Sequence, residues 1–561
     1  MPARHLSNGE IAAELMALAQ FIAAKGGNPY KVKAYRRAAR TIKSLGESID
    51  ELVRNDFDLT EFPGIGQAIS SAIQELVRTG TLRQLETVRS QAAPELLEIA
   101  EHPRLDPRRV LRVYKRLGIS SIAALKEKLA EGEIRTRFGM RMEQHVRQGL
   151  QEAHDMLYYE AETVVAAIKT FLRRQCGIRK AEPVGECRRK VEIVREISFL
   201  VEADDLHAVL TKVAGYGGKA DILTATDTEA LAQLSSGTLL RLTASPHKKW
   251  GVALIETTGD EEHLRQLRTY NSKWDLAVSS DESFPTERSV YHYLGLSFIP
   301  PELREGKDEI ALAAENRLPN LVCAGDIRGE LHAHSTSSDG ANTIEEMMAA
   351  AQELGYDYIG ISDHSQTLKI ARGLSEEALW EQIRFIDNLN ARLNGIRVLK
   401  SAEVDILIDG ALDYPNDLLK ELDYTICSIH SRFGQGKAEQ TDRILRAMDN
   451  RYFNILGHAT GRLLLKRPGY EIDVERIVEH ARNNRCFFEI NSSPDRLDLS
   501  ADNARLARQA GVKVAITTDA HSTGEFAYLR YGIDQARRAG FPKTSILNHL
   551  PWPELERTLK R

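Results

Sequence analysis

The stretch Asp326-Ile327-Arg328-Gly329-Glu330-Leu331-His332-Ala333-His334-Ser335-Thr336-Ser337-Ser338-Asp339-Gly340 decides the fold of the C-terminal part of this chain. Residues 330–334 read as a short buried strand carrying two histidines two residues apart, a spacing that puts both imidazoles on one face. Six further β-rich runs follow, at residues 358–364, 397–403, 424–430, 453–458, 486–491 and 514–521. Longer amphipathic stretches separate them, which is the pattern of parallel strands joined by helices. Six of the seven runs end in His, Asp or Glu, and the remaining one ends Glu489-Ile490-Asn491. In a β/α barrel the C-terminal strand ends converge on one face, so residues distant in sequence would meet there. Imidazoles and carboxylates without a thiolate are the ligands a divalent metal takes.

The 561 residues are too many for one ordinary core and suit several domains. A net charge of −5 says nothing about partners, so local clusters must be read instead. Cys176, Cys187, Cys323, Cys427 and Cys486 form no Cys-x-x-Cys pair, which fits a reduced cytosolic protein. No apolar run reaches the ~18–20 residues of a membrane helix. Ser7 followed by Glu10 reads as a capping box that starts a helix carrying Ile11, Leu15, Leu18 and Ile22. The paired prolines Pro300 and Pro301 cannot continue a helix and mark the passage towards Asp326.

The stretch from Asp326 to Gly340 resembles the opening motif of the PHP (polymerase and histidinol phosphatase) superfamily. The resemblance implies a distorted barrel of seven β/α units with a three-metal site. It also implies the ligand set His332, His334, Asp339, His364, Glu403, His430, His458, Asp519 and His521. One metal would take His332, His334, Glu403 and Asp519, a second His430 and His458 with Glu403 shared, and a third Asp339, His364 and His521. The implied cofactors are three Mn²⁺ or Zn²⁺ ions, which lower the pKa of water and stabilise charge on a phosphate. Glu403, His364 and Asp519 are the expected catalytic ligands. Arg372, Arg432, Arg462, Arg467 and Arg496 are candidate phosphate clamps, because the arginine fork suits phosphate. Arg462 and Arg496 lead, since both closely follow strand ends.

Phe62-Pro63-Gly64-Ile65-Gly66-Gln67 reads as a helix-hairpin-helix turn. Its glycines let the turn close and expose backbone N–H groups at a helix N-terminus, where a DNA phosphate can sit. A basic helix precedes it, with Lys31, Lys33, Arg36, Arg37 and Arg40 as candidate phosphate contacts. Residues 1 to about 318 resemble a bacterial family X DNA polymerase, and the PHP segment after them strengthens that resemblance. The fold expected is multidomain. A helical helix-hairpin-helix domain covers residues 1–85, helical fingers 86–155, an α+β nucleotidyltransferase-like palm 156–250 and a thumb 251–318. A linker covers residues 319–325 and a C-terminal distorted (β/α)7 PHP barrel 326–561.

The palm departs from that family. A Gly-Ser that should hold the triphosphate reads Gly185-Glu186, which places a carboxylate against phosphate. The Asp-x-Asp strand carries Glu196 and Ser198, and the third Asp position falls on Arg241. Two-metal phosphoryl transfer needs clustered carboxylates, and Arg241 would oppose a cation. A second Gly-Ser reads Gly259-Asp260, and the lysine of lyase-active members falls at Ala72. A second hairpin, His102-Pro103-Arg104-Leu105-Asp106-Pro107, has lost both glycines. The expectation is a cytoplasmic, nucleoid-associated, DNA-binding phosphodiesterase. It would trim 3′ ends or act as a 3′–5′ exonuclease on gapped or 3′-ended DNA, with no membrane partner and no polymerase activity. The alternatives are a small-molecule phosphomonoesterase resembling histidinol phosphatase, and a non-catalytic repair scaffold.

Overall fold

The computed structural model describes residues 4–102, 104–150, 155–270, 273–279 and 281–561. The chain divides into two units, Met1–Pro301 with Leu465–Arg467 and Glu302–Leu464 with Pro468–Arg561. The division falls after Pro301, so residues 302–325, read from sequence as the end of a thumb and a linker, lie in the second unit. Arg537 donates to Glu302 at 2.8 Å and Arg538 to Glu305 at 2.6 Å, which ties that segment to the later helices of its own unit.

The first unit opens with helix Asn8–Ala24. Ser7 accepts from the Glu10 N–H and donates its own N–H to the Glu10 carboxylate at 2.8 Å, which is the capping box read from sequence. Ile11, Leu15 and Leu18 are buried against Ala38, Ala39 and Ile42 of helix Pro29–Ser44, while Ile22 is only partly buried. The hairpin leads into helix Gln67–Thr79. Helix Pro107–Leu117 follows the second, glycine-free hairpin, whose Pro103 lies outside the described residues.

Among the described residues of this unit, a five-stranded sheet has the order Ala181–Val184, Glu196–Val201, Leu239–Ala244, Glu229–Leu234, Ala220–Ala225. Ile197, Phe199 and Val201 are buried on one face, while Glu196 and Ser198 take the other. The parallel register sets Ser198 opposite Arg241. Helices Trp250–Thr258 and Glu287–Tyr293 follow in the thumb segment.

The second unit is built on parallel strands. Gly329–Ala333, Tyr358–Ile361 and Arg397–Lys400 form one sheet, and Glu403–Asp405, Ile426–Ser428, Ile455–Leu456, Phe487–Asn491 and Val514–Thr517 form another. Arg397–Lys400 and Glu403–Asp405 are the two halves of one broken strand. Bridges His364 to Glu403 and Ala333 to Ala520 join the sheets at both edges, which closes a ring of seven. The strands are almost wholly buried and mostly apolar, as strands covered on both faces are. Helices such as Ile344–Glu353, Glu376–Asn390, Lys437–Met448 and Leu529–Arg538 connect them and pack outside.

Candidate metal centre and nucleic-acid interface

His332 and Glu403 lie within strands, and the other candidate ligands lie past the strand ends. His364 lies three residues past its strand, and His430, His458 and Asp519 two residues past theirs. His458 (φ 23°) and Asp519 (φ 53°) leave the ladder with positive φ. This geometry costs of order 1 kcal/mol at a non-glycine residue and recurs at functional sites. Here it turns both side chains inward at the C-terminal face of the ring. Period-two spacing holds for His332 and His334, whose rings lie 5.1 Å apart on one side of their strand.

All nine sequence-predicted ligands are brought together. Asp519 Oδ1 lies 3.1 Å from His334 Nε2 and 3.5 Å from His332 Nε2. Glu403 stands at the centre. Its Oε1 is 2.8 Å from His458 Nε2 and 3.3 Å from His430 Nε2, and its Oε2 is 2.8 Å from His364 Nδ1 and 3.6 Å from His332 Nε2. Asp339 Oδ1 lies 3.5 Å from His364 Nε2 and 3.3 Å from His521 Nε2. Among the described residues, three groups of ligand atoms are compact enough to hold an ion: His332, His334, Asp519; His364, Glu403, His430; and His334, Asp339, His364, His521. They overlap the three implied groupings without reproducing them: the first lacks Glu403, the second has His364 where His458 was expected, and the third gains His334.

The donor set fits divalent cations on a further observation. Among the described residues, His332 Nε2, His334 Nδ1, His364 Nδ1, His458 Nδ1 and Glu403 Oε2 are buried without a hydrogen-bond partner. Unpaired buried polar atoms are costly and rare. His364 Nδ1 and Glu403 Oε2 are 2.8 Å apart yet do not point at one another, as two atoms facing a common cation would sit. The field within the cluster favours positive charge, whether a proton or a metal ion. Burial alone would push Glu403 and Asp519 up, but the surrounding imidazoles, with Arg496 beside Asp519, hold both carboxyls well below their usual range. Burial likewise opposes charging of His332, yet Glu489, Asp519 and Glu403 hold it well above the usual range.

Sequence reasoning left two carboxylates around this cluster without a role. Glu489 Oε1 lies 2.5 Å from His332 Nδ1, and Asp405 Oδ1 lies 3.1 Å from His430 Nδ1. Glu489 was visible as an acidic residue at a strand end, but its partner depends on which strands are neighbours.

The arginines divide. Arg496 reaches the cluster, with Nε 3.5 Å from Asp519 Oδ2. Arg462 turns instead onto the backbone, donating to the carbonyls of Arg496, at 3.0 Å, and Leu497. Its fork supports the Arg496 loop and is not presented to a phosphate. Arg372 and Arg432 are exposed, each with φ 58°, and Arg467 groups with the first unit.

In the first unit, Lys31, Lys33 and Arg37 line one groove with residues 60–69 of the hairpin. Arg40 is exposed and 3.5 Å from Glu160, whereas Arg36 is half-buried and donates to Gln20 at 3.1 Å, so it is not presented with the others. Gly66 sits at the N-terminus of helix Gln67–Thr79 with no side-chain cap and open space around it. Gly64 has φ 88°, and a Cβ there would come within 2.9 Å of the Arg37 side chain. Gly64→Ala should therefore destabilise the hairpin by about 1–2 kcal/mol. Faster amide exchange confined to residues 62–69 is the check. At the second hairpin, Asp106 caps helix Pro107–Leu117 through the N–H groups of Arg108 and Arg109, so an acid occupies the place an anion would take.

The palm positions form a closed ion pair. Arg241 forks onto Glu196, Nε to Oε1 at 2.7 Å and Nη2 to Oε2 at 2.9 Å, and Ser198 Oγ donates to Glu196 Oε1 at 2.8 Å. Glu186 accepts from the Arg195 N–H at 2.7 Å. Asp260 accepts from the His263 N–H at 2.8 Å, and Ala72 is partly buried in the helical core.

Comparison with known proteins gives three family matches: a helix-hairpin-helix domain at residues 7–82, a DNA polymerase beta thumb at 253–305 and a PHP domain at 330–493. A DNA polymerase/3′-5′ exonuclease PolX of Bacillus subtilis is 32% identical over 566 residues, covering 98% of each chain. A probable phosphatase of Thermoanaerobacter sp. is 30% identical and one of Clostridium acetobutylicum 32% identical, each covering 39% of this chain and 89% of its own.

Proposed function

The chain belongs to the PolX family, and on that premise we propose that its C-terminal barrel is a metal-dependent phosphodiesterase that trims DNA from the 3′ end, while its palm does not polymerise. The observation that carries the first half is the convergence of nine ligand-type residues around Glu403, with buried atoms left unpaired. His332, His334, Glu403 and Asp519, then His430 and His458 with Glu403, then Asp339, His364 and His521 would hold Mn²⁺ or Zn²⁺. Bound divalent cations supply a nucleophile from water and neutralise charge at phosphorus. The chain's own part is orientation. Arg496, beside Asp519, is placed to hold a phosphate oxygen, and Arg462 holds the Arg496 loop in place.

DNA is the substrate this reading favours, because a hairpin with an open helix N-terminus and three exposed cations in one groove suits a phosphate backbone. No helix among the described residues is long and apolar enough to cross a membrane, and the site of action we assign is nucleoid DNA in the cytoplasm. The phosphatase names of the barrel relatives favour a second reading, phosphomonoester hydrolysis. Rates on a 3′-recessed duplex and on histidinol phosphate separate the two, and faster turnover of the small ester would overturn the DNA reading.

The loss of polymerase activity rests on the palm residues alone. The name of the full-length PolX relative includes DNA polymerase, so the comparison lends that half no support.

DNA binding should be independent of sequence and sensitive to salt. Removing Lys31, Lys33 and Arg37 together should lower the slope of log affinity against log salt by roughly 2–2.7, at about 0.7–0.9 per phosphate. Fluorescence anisotropy from 50 to 200 mM salt measures it. An unchanged slope would return that helix face to solvent.

A further inference from the structure

We propose that Glu489 is a positioning residue that orients metal ligands on three other strands, an inference that rests on the metal-dependent reading above. Phe487–Asn491 is the strand of the ring that sends none of the nine ligands inward. It carries instead a carboxylate that is fully buried. Glu489 Oε1 lies 2.5 Å from His332 Nδ1 and accepts from Thr517 Oγ1 at 2.6 Å. Glu489 Oε2 accepts the backbone N–H of His458 at 2.5 Å and Asn491 Nδ2 at 3.3 Å. The same Asn491 nitrogen lies 3.1 Å from Asp519 Oδ2. One carboxylate thus reaches a ligand's ring, a second ligand's backbone and, through Asn491, a third ligand's oxygen.

The chemical consequence is clearest at His332. A neutral imidazole carries one ring proton, and a carboxylate at Nδ1 keeps it there. The lone pair on Nε2 is then directed into the cluster, where Asp519 Oδ1 and Glu403 Oε2 lie 3.5 and 3.6 Å away. Partners of this kind fix the tautomer and raise the basicity of a metal-binding histidine, and their loss typically costs about 10–100-fold in metal affinity. At His458 the effect is geometric. The backbone bond pins a residue with φ 23°, where the chain must turn for its Nε2 to meet Glu403.

The test is metal binding by the full-length chain, stripped with a chelator and titrated with Zn²⁺ against a chromophoric chelator, then with Co²⁺ to record its visible spectrum. Circular dichroism and thermal unfolding run alongside. Glu489→Gln keeps the volume but offers His332 an amide. It should fold, lose about 10–100-fold in affinity for at least one ion and shift the Co²⁺ bands. A folded Glu489→Gln protein with wild-type affinity and spectrum would overturn the proposal. Should Glu489→Gln fail to fold, Thr517→Val decides the matter by stripping one donor from the carboxylate. Reduced affinity at unchanged thermal stability supports the role, and unchanged affinity overturns it. A wild-type chain that takes up no ion would overturn the metal-dependent reading itself. Ion uptake by the wild type with equal uptake by Glu489→Gln would remove only the role of Glu489.

Discussion

Asp519→Ala and His364→Ala should each slow hydrolysis of a 3′-recessed DNA duplex by about 10²-fold or more, the scale of losing electrostatic stabilisation at a reacting phosphate. Asp519 shares its Oδ1 between His332 and His334 and sets Oδ2 near Arg496, so one truncation disturbs the proposed ion site and the proposed phosphate clamp together. His364 borders both Glu403 and Asp339, and its loss opens two of the three ligand groups. A hundredfold loss is about 2.7 kcal/mol of transition-state stabilisation. Initial rates under saturating Mn²⁺ and saturating DNA measure it, since a fall in kcat separates chemistry from DNA binding. Activity within a few-fold of wild type in both variants would place the chemistry elsewhere.

Templated primer extension should be absent with either Mg²⁺ or Mn²⁺. Phosphoryl transfer to a primer needs two cations held by clustered carboxylates. Of the three positions that the resemblance gives to carboxylates, Glu196, Ser198 and Arg241, one is acidic, and both of its oxygens are engaged by Arg241 while Ser198 donates to one of them. A cation approaching Glu196 would have to displace a guanidinium that fits it with two hydrogen bonds. The assay is extension of a labelled primer on a gapped template with all four deoxynucleotides. Extension that requires Glu196 would show that the pair opens during catalysis and that the palm is active.

Much of the candidate site was legible in the sequence because most of the candidate ligands sit at or just past strand ends, and strand ends are marked by where apolar runs stop. The pair His332 and His334 declared its common face through period-two spacing alone. The hairpin was legible for a similar reason, since Gly64 needs its positive φ and Gly66 leaves a helix N-terminus open. What depended on neighbouring strands was not legible. The pairing of Glu489 with His332 and of Asp405 with His430 comes from strand order, which no spacing within a run encodes. The fork of Arg241 on Glu196 likewise needs the register that sets Ser198 opposite Arg241. Arg462 and Arg36 look like phosphate contacts in sequence because a fork is a fork. Both are spent internally, on backbone carbonyls and on Gln20. The run at residues 397–403 read as one strand and is broken before Glu403, where the chain steps inward to deliver the central carboxylate.

The most direct test of the central claim is a gel assay of the full-length chain in Mn²⁺ on one duplex, labelled in separate reactions at the 5′ end and at the 3′ end of the recessed strand. Wild type, Asp519→Ala and Glu196→Ala are compared. Wild type and Glu196→Ala should shorten the 5′-labelled strand one nucleotide at a time and release the 3′ label at once as a mononucleotide, while Asp519→Ala does neither. Cleavage that disappears in Glu196→Ala and persists in Asp519→Ala would put the catalytic centre in the palm and contradict the account.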